Sequence, residues 1–194
     1  KSKNINLVKN INPSSLNLNK IKFYPKRVNQ TKLLFAGRIS KDKNIHFINE
    51  ILKNADDKRN IVIDLWGPIR DPEYLNSLLS KASFYEINLN YCGVFVDSQK
   101  SDIYQNYHAF LFPALSENYS HVIGEALSYG LPVITSDNTP WKTDLDFIET
   151  GLVNIKLSFA NKYLDSINRI HIMNKADHNE IRTNTINFYS RIAD

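Results

Sequence analysis

Cysteine is almost missing from this chain: its 194 residues include one, Cys92, so no intrachain disulfide can form. No Cys/His spacing suits zinc, and the composition points to a reducing compartment and to no metal. Long apolar runs are missing as well. The longest, at residues 109–113 and 131–134, have the length of a strand and fall far short of the roughly 20 residues that cross a bilayer. Blocks of one charge are also missing. The 24 Lys and Arg outnumber the 20 Asp and Glu, for a net charge of +4, but the basic residues are scattered. A solvated basic surface is therefore read, and nucleic acid is not expected as a partner. Neither GxGxxG nor GxxxxGK[ST] occurs, which weighs against a dinucleotide-binding oxidoreductase and a P-loop NTPase. The first residues, Lys1-Ser2-Lys3-Asn4, carry neither an initiator Met nor the apolar centre of a secretory signal, and the chain reads as an internal piece of a longer protein.

What is present is enough for a packed core. With 42% hydrophobic residues the chain can bury the surface that offsets its conformational entropy, and its length suits one domain of ordinary size. Residues 1–30 are rich in Asn, Lys and Ser and read as a linker leading into the domain, with one short strand at 5–8. From residue 32 onward short β-branched or aromatic runs (32–36, 61–65, 87–91, 109–112, 132–135) alternate with amphipathic stretches (44–55, 71–84, 98–106, 120–129). Asp71-Pro72-Glu73 supplies an N-cap, a proline at the first helical position and an early acid, while Gly130 and Pro132 end a helix. Such alternation, with strands apolar almost throughout, predicts a doubly wound, Rossmann-like α/β domain: a parallel sheet with helices on both faces. The α/β domain proper is placed at residues 31–155. Beyond a strand at 152–155, residues 156–194 are read as C-terminal helices of the same domain, at 159–173 and 177–192.

In an open parallel sheet ligands bind beyond the carboxyl ends of the strands. After the run 32–36 come Gly37, which permits a tight turn, and the cations Arg38 and Lys43, where a phosphate would sit. After the run 109–112 come Glu117, Tyr119, Ser120 and His121, and then Glu125 about one turn inside a helix. Two acids so spaced can accept hydrogen bonds from hydroxyls at separate places on one extended ligand. They can equally be a loop acid and an acid favoured by the helix dipole. His121 reads either as a general acid or base or as a polar cap. Gly67 and Gly93 put small residues at two further strand ends, where backbone can approach a ligand.

Together these pieces resemble the C-terminal, donor-binding domain of GT-B glycosyltransferases of the group 1 (GT4-like) family. Gly37-Arg38 with Lys43 is similar to that family's G-R-x-x-x-x-K stretch, and Glu117 with Glu125, followed by Gly130-Leu131-Pro132-Val133, is similar to its E-x7-E signature. The resemblance implies that Arg38 and Lys43 hold the donor diphosphate, that Glu117 meets the sugar hydroxyls and Glu125 the ribose, and that Gly37, Tyr119, Ser120 and His121 line the same site. It also implies transfer with retention, no metal, no cofactor beyond the nucleotide diphosphate sugar donor itself, and an N-terminal acceptor domain missing from this chain. Two departures stand out: the family's glycine after the basic loop's lysine is Asn44, and its E-G-F-G is Glu117-Asn118-Tyr119-Ser120. The continuation Ser136-Asp137-Asn138-Thr139-Pro140-Trp141 is similar to bacterial polysaccharide enzymes, which suggests envelope or capsule synthesis; the expected location is cytoplasmic, with the inner face of the membrane and peripheral association through the missing domain as options. Two other functions stay open: another GT-B enzyme, such as a sugar-nucleotide epimerase or a phosphorylase-like protein, and a non-catalytic α/β interaction module.

Overall fold

The computed structural model describes residues 30–193; the linker reading and the short strand at 5–8 lie outside the described residues. Six parallel strands form one sheet: β1 (Thr31–Ala36), β2 (Ile61–Trp66), β3 (Asn88–Gly93), β4 (Ala109–Phe112), β5 (Val133–Ser136) and β6 (Leu152–Ile155). Their order across the sheet is β3-β2-β1-β4-β5-β6. The helices are α1 (His46–Leu52), α2 (Pro72–Phe84), α3 (Lys100–Gln105), α4 (His121–Ser128), α5 (Phe147–Thr150), α6 (Ala160–Ile172) and α7 (Lys175–Ala193).

Chain direction across the sheet determines which helix covers which face. From β1 the chain steps outward to β2 and β3, and right-handed crossovers put α1 and α2 on one face. It then returns past β1 to β4 and continues to β5 and β6, so the same handedness puts α3, α4 and α5 on the other. The last two helices divide between the faces, α6 against α1 and α7 against α4 and α5. Strands covered on both sides must be apolar at every position. Leu33, Leu34, Phe35, Phe110, Leu111, Val133 and Ile134 are accordingly fully buried. Phe35, Phe112 and Phe110 stack in series, with ring centroids 5.4 and 5.6 Å apart, beneath the ends of β1 and β4.

The doubly wound sheet is as predicted, with differences at the element ends. Asp71 caps α2 as expected, its carboxylate accepting from the Tyr74 amide at 2.9 Å. The helix expected at 44–55 is shorter, because Asn44 takes a left-handed conformation (φ 56) that closes a 3-10 turn at Lys41–Lys43 and starts the chain afresh. The four-residue α5 was not foreseen; Asp146 caps it and Gly151 ends it, and so short a helix carries no periodic signal.

Candidate functional site

The strand order reverses between β1 and β4, so the loops that leave these neighbouring strands diverge and open a crevice between them. These are the two loops that carry the candidate residues. A cleft of about 530 Å³ lies between them, lined by Gly37, Arg38, Asp42 and Lys43 from the first and by Ser116, Glu117, Asn118, Tyr119, Ser120 and His121 from the second, with Phe112 as floor and Val122 at the side.

Each loop is fastened to the sheet and to the other. Buried Ile39 forms a bridge with Ile69, and the Gly37 amide donates to the Trp66 carbonyl at 2.9 Å, which pulls the first loop toward the end of β2. Gly67 is the residue that allows this approach: a Cβ there would lie 1.9 Å from the Gly37 carbonyl oxygen. Its small size thus serves a neighbouring loop, whereas the sequence suggested an approaching ligand. Asn44 Nδ2 donates to the Pro113 carbonyl at 2.9 Å, and the Leu115 amide donates to the Asp42 carbonyl at 3.3 Å, joining the loops. Ser136 donates to the Ala114 carbonyl at 2.6 Å, and the Trp141 indole N–H donates to the Tyr119 carbonyl at 3.1 Å, holding the second loop from β5 and beyond.

Of the three positions where the family has glycine, Asn44 and Ser120 are left-handed and Asn118 is not. Asn44 has φ 56 and Ser120, the N-cap of α4, has φ 47. The backbone shape that glycine would supply is kept at these two positions, Asn44 being the residue type that tolerates it best. Ser120 is buried, and its hydroxyl oxygen has no hydrogen-bond partner. It stands where α4 presents its free amides.

The two cations are not waiting unpaired. Lys43, with 9% of its side chain exposed, donates to the Glu117 carboxylate and lies 3.2 Å from Asp42. Arg38 is more exposed and lies 3.8 Å from the same Asp42 carboxylate. The cleft thus holds two cations against two anions. Tyr119 is exposed and stacks on His121, the rings 15° from parallel with centroids 6.0 Å apart. His121 is the first residue of α4 and not its cap.

Glu125 lies apart from this group. One turn further along α4 it is outside the cleft's lining, and both its carboxylate oxygens are occupied: Lys100 Nζ donates to one at 2.7 Å and the Tyr104 hydroxyl to the other at 3.1 Å. Burial raises the Tyr104 phenol well above its ordinary pKa, and the neighbouring Glu125 carboxylate adds to the rise. Burial works against the charge of Lys100, but Glu125 and Asp97 still hold its ammonium above the usual range. Asp42, Lys100 and Tyr104 were not picked out from the sequence. The spacing of Lys100 and Tyr104, one turn apart on α3, indicates a shared helix face, but only the fold shows what that face meets.

Comparison with known proteins bears on the family and the fold. A UDP-N-acetylglucosamine–peptide N-acetylglucosaminyltransferase subunit, GtfA, of Streptococcus parasanguinis is 26% identical over 62% of this chain, which spans 23% of that protein. Among solved structures, the pneumococcal O-GlcNAc transferase GtfA in complex with UDP and GlcNAc has a TM-score of 0.66 at 18% identity, over 84% of this chain and 33% of that one. The C-terminal domain of LpcC, a group 1 family glycosyl transferase of Francisella tularensis, has a TM-score of 0.68 at 18% identity, over 87% of this chain and 94% of that one. Residues 18–146, two thirds of the sequence, match the family described as Glycosyl transferases group 1, and the chain belongs to that family.

Proposed function

We propose that this chain is the donor-binding half of a retaining glycosyltransferase that takes a nucleotide diphosphate sugar. The observation that carries the reading is the cleft at the β1/β4 reversal. There Arg38, Lys43, Glu117 and Ser120 line one space at the start of α4. A diphosphate would take Arg38, Lys43 and the free amides of α4, all of which favour negative charge. The same groups would stabilise the charge that grows on the departing diphosphate, with no metal required. Glu117 would accept from sugar hydroxyls and Glu125 from the ribose.

Binding on this reading is an exchange of partners. The diphosphate replaces Glu117 and Asp42 on Lys43 while sugar hydroxyls replace Lys43 on Glu117. A bare nucleoside diphosphate leaves Glu117 without its cation, so it binds less tightly than the sugar-bearing donor. The acceptor site belongs to a separate N-terminal domain, and closure of the two would exclude water and bring the acceptor to the donor carbon. The 194 residues alone are thus expected to bind nucleotide and to transfer no sugar.

The role in bacterial polysaccharide synthesis, at the cytoplasmic face of the membrane, rests on the continuation 136–141. The likeness to GtfA, which acts on peptide, favours a second acceptor class, a hydroxyl-rich peptide. The test is calorimetry with UDP, ADP, GDP and the matching nucleosides. One diphosphate should bind, and Arg38→Ala or Lys43→Ala should weaken it by about 1.5–3 kcal/mol while leaving the nucleoside unchanged. Failure of every diphosphate to bind favours the interaction module, and equal losses for diphosphate and nucleoside remove the phosphate role of the two cations. Product analysis with glycan and peptide acceptors, on a chain that includes the acceptor domain, separates transfer from epimerisation and one acceptor class from the other.

A further inference from the structure

We infer that Lys100 and Tyr104 are positioning residues that hold the Glu125 carboxylate aimed for the ribose of the donor. The inference deepens the proposed function and rests on its assignment of Glu125 to the ribose.

Glu125 projects from α4, but neither donor to its carboxylate belongs to that helix. Lys100 and Tyr104 stand on α3, one turn apart, and each takes a different carboxylate oxygen, at 2.7 and 3.1 Å. A carboxylate gripped at both oxygens from one side has its plane determined, and its remaining lone pairs face away from the grip. The grip is itself rigid. Tyr104 is fully buried; its ring stacks on Tyr129 at 5.2 Å and meets Phe95 edge-on at 6.1 Å. Lys100 lies 3.0 Å from Asp97, one turn before it, so its ammonium is held from two sides. About a quarter of each of the Lys100 and Glu125 side chains remains exposed.

The chemistry explains why such support would matter. A vicinal diol donates two hydrogen bonds that a carboxylate can accept together, provided it is ionised and its plane is aligned. Without α3, Glu125 would be an ordinary helix glutamate with free rotamers. Freezing those rotamers on binding would cancel part of what the hydroxyl contacts contribute.

The test measures ribose discrimination in the 194-residue chain. The probe is UDP against 2′-deoxy-UDP, or the ADP or GDP pair if calorimetry shows that base to bind more tightly. Wild type should prefer the ribonucleotide by roughly tenfold or more, the scale of a hydrogen bond to a charged group. In Lys100→Gln and in Tyr104→Phe the preference should fall below about threefold, with the deoxynucleotide affinity within about twofold of wild type. Lys100→Arg should restore most of the preference. A merely structural role would instead lower both affinities together, and that result overturns the inference. So does an unchanged preference in both variants, or no preference in wild type. If no nucleoside diphosphate binds wild type, the proposed function fails first and this inference with it, so the two failures are distinguishable.

Discussion

Asp42 is the residue whose effect on the cleft runs against its apparent purpose. It lies 3.2 Å from Lys43 and 3.8 Å from Arg38, and on the proposed function it would compete with a bound phosphate for both cations. Removing its charge should therefore improve anion binding. Because the side chain is half exposed, solvent screens the effect, and Asp42→Asn is expected to tighten UDP by about 0.5–1.5 kcal/mol. Glu117→Gln also frees Lys43 and should tighten bare UDP, but it exchanges the charged acceptor for sugar hydroxyls for a weaker neutral one. Titration of each variant with UDP and with a UDP-sugar separates the two: Asp42→Asn gains for both ligands and Glu117→Gln for UDP alone. Weaker UDP binding by Asp42→Asn would show that the carboxylate helps to hold the loop and does not compete. At this scale the sequence singled out Arg38, Lys43, Glu117 and Glu125 as candidates through their resemblance to the family's motifs. It could not reveal that Lys43 is already paired, because the partners, Glu117 and Lys43, are 74 residues apart. Ser120 illustrates the same limit. Nothing in its type announces a left-handed cap with a buried, unpartnered hydroxyl. Ser120→Gly should relieve the strain and raise stability by up to about 1 kcal/mol, measured by thermal unfolding.

Among the elements, the ends of β1, β2 and β3 act as one unit. Gly37 donates to the carbonyl of Trp66, and Gly67 to the carbonyl of Gly93, so the hydrogen bonding of the sheet extends one residue past each strand before the loops diverge. Gly67 has φ 141 and no room for a side chain against the Gly37 carbonyl, so Gly67→Ala must displace the loop that carries Arg38. A loss of about 2–3 kcal/mol is expected, together with weaker UDP binding. Gly93→Ala is the comparison, since a Cβ there meets nothing within 4 Å and only its φ of 95 is strained. It should cost less and leave UDP affinity alone; if the two variants behave alike in binding, the coupling from β2 to the first loop is absent. Periodicity in the sequence located these strands to within about two residues. The spread at their ends arises because the last residues of each strand pair through backbone groups, which any side chain can accompany.

Across the whole molecule, α7 closes the fold over strands that lie far from it in sequence. Its Arg182 is 1% exposed, and its guanidinium donates to the Tyr107 carbonyl at 2.8 Å and to the Tyr129 carbonyl at 3.3 Å, at the approach to β4 and the end of α4. Burial lowers its pKa to about 10, which still leaves it charged at neutral pH. Arg182→Met keeps the bulk and strands both carbonyls in the interior. About 3 kcal/mol of stability is expected to be lost, or roughly 6–12 °C in Tm, with nucleotide affinity unchanged in the folded protein. A drop of less than a degree would mean that α7 is held by its apolar face alone. The sequence by itself determined the alternation of strand and helix, the parallel sheet that this alternation requires, and the two loops that carry the cations and the acids. These follow from local periodicity, from turn chemistry and from motifs whose spacing along the chain is their content. Only the tertiary structure decided that β1 and β4 are neighbours and that the two loops share one cleft. It also decided that Lys43 rests on Glu117 and that Glu125 is gripped by Lys100 and Tyr104. Each of those contacts joins residues more than 20 positions apart, and it is the crossover from β3 back to β4, a property of no local stretch, that brings them together.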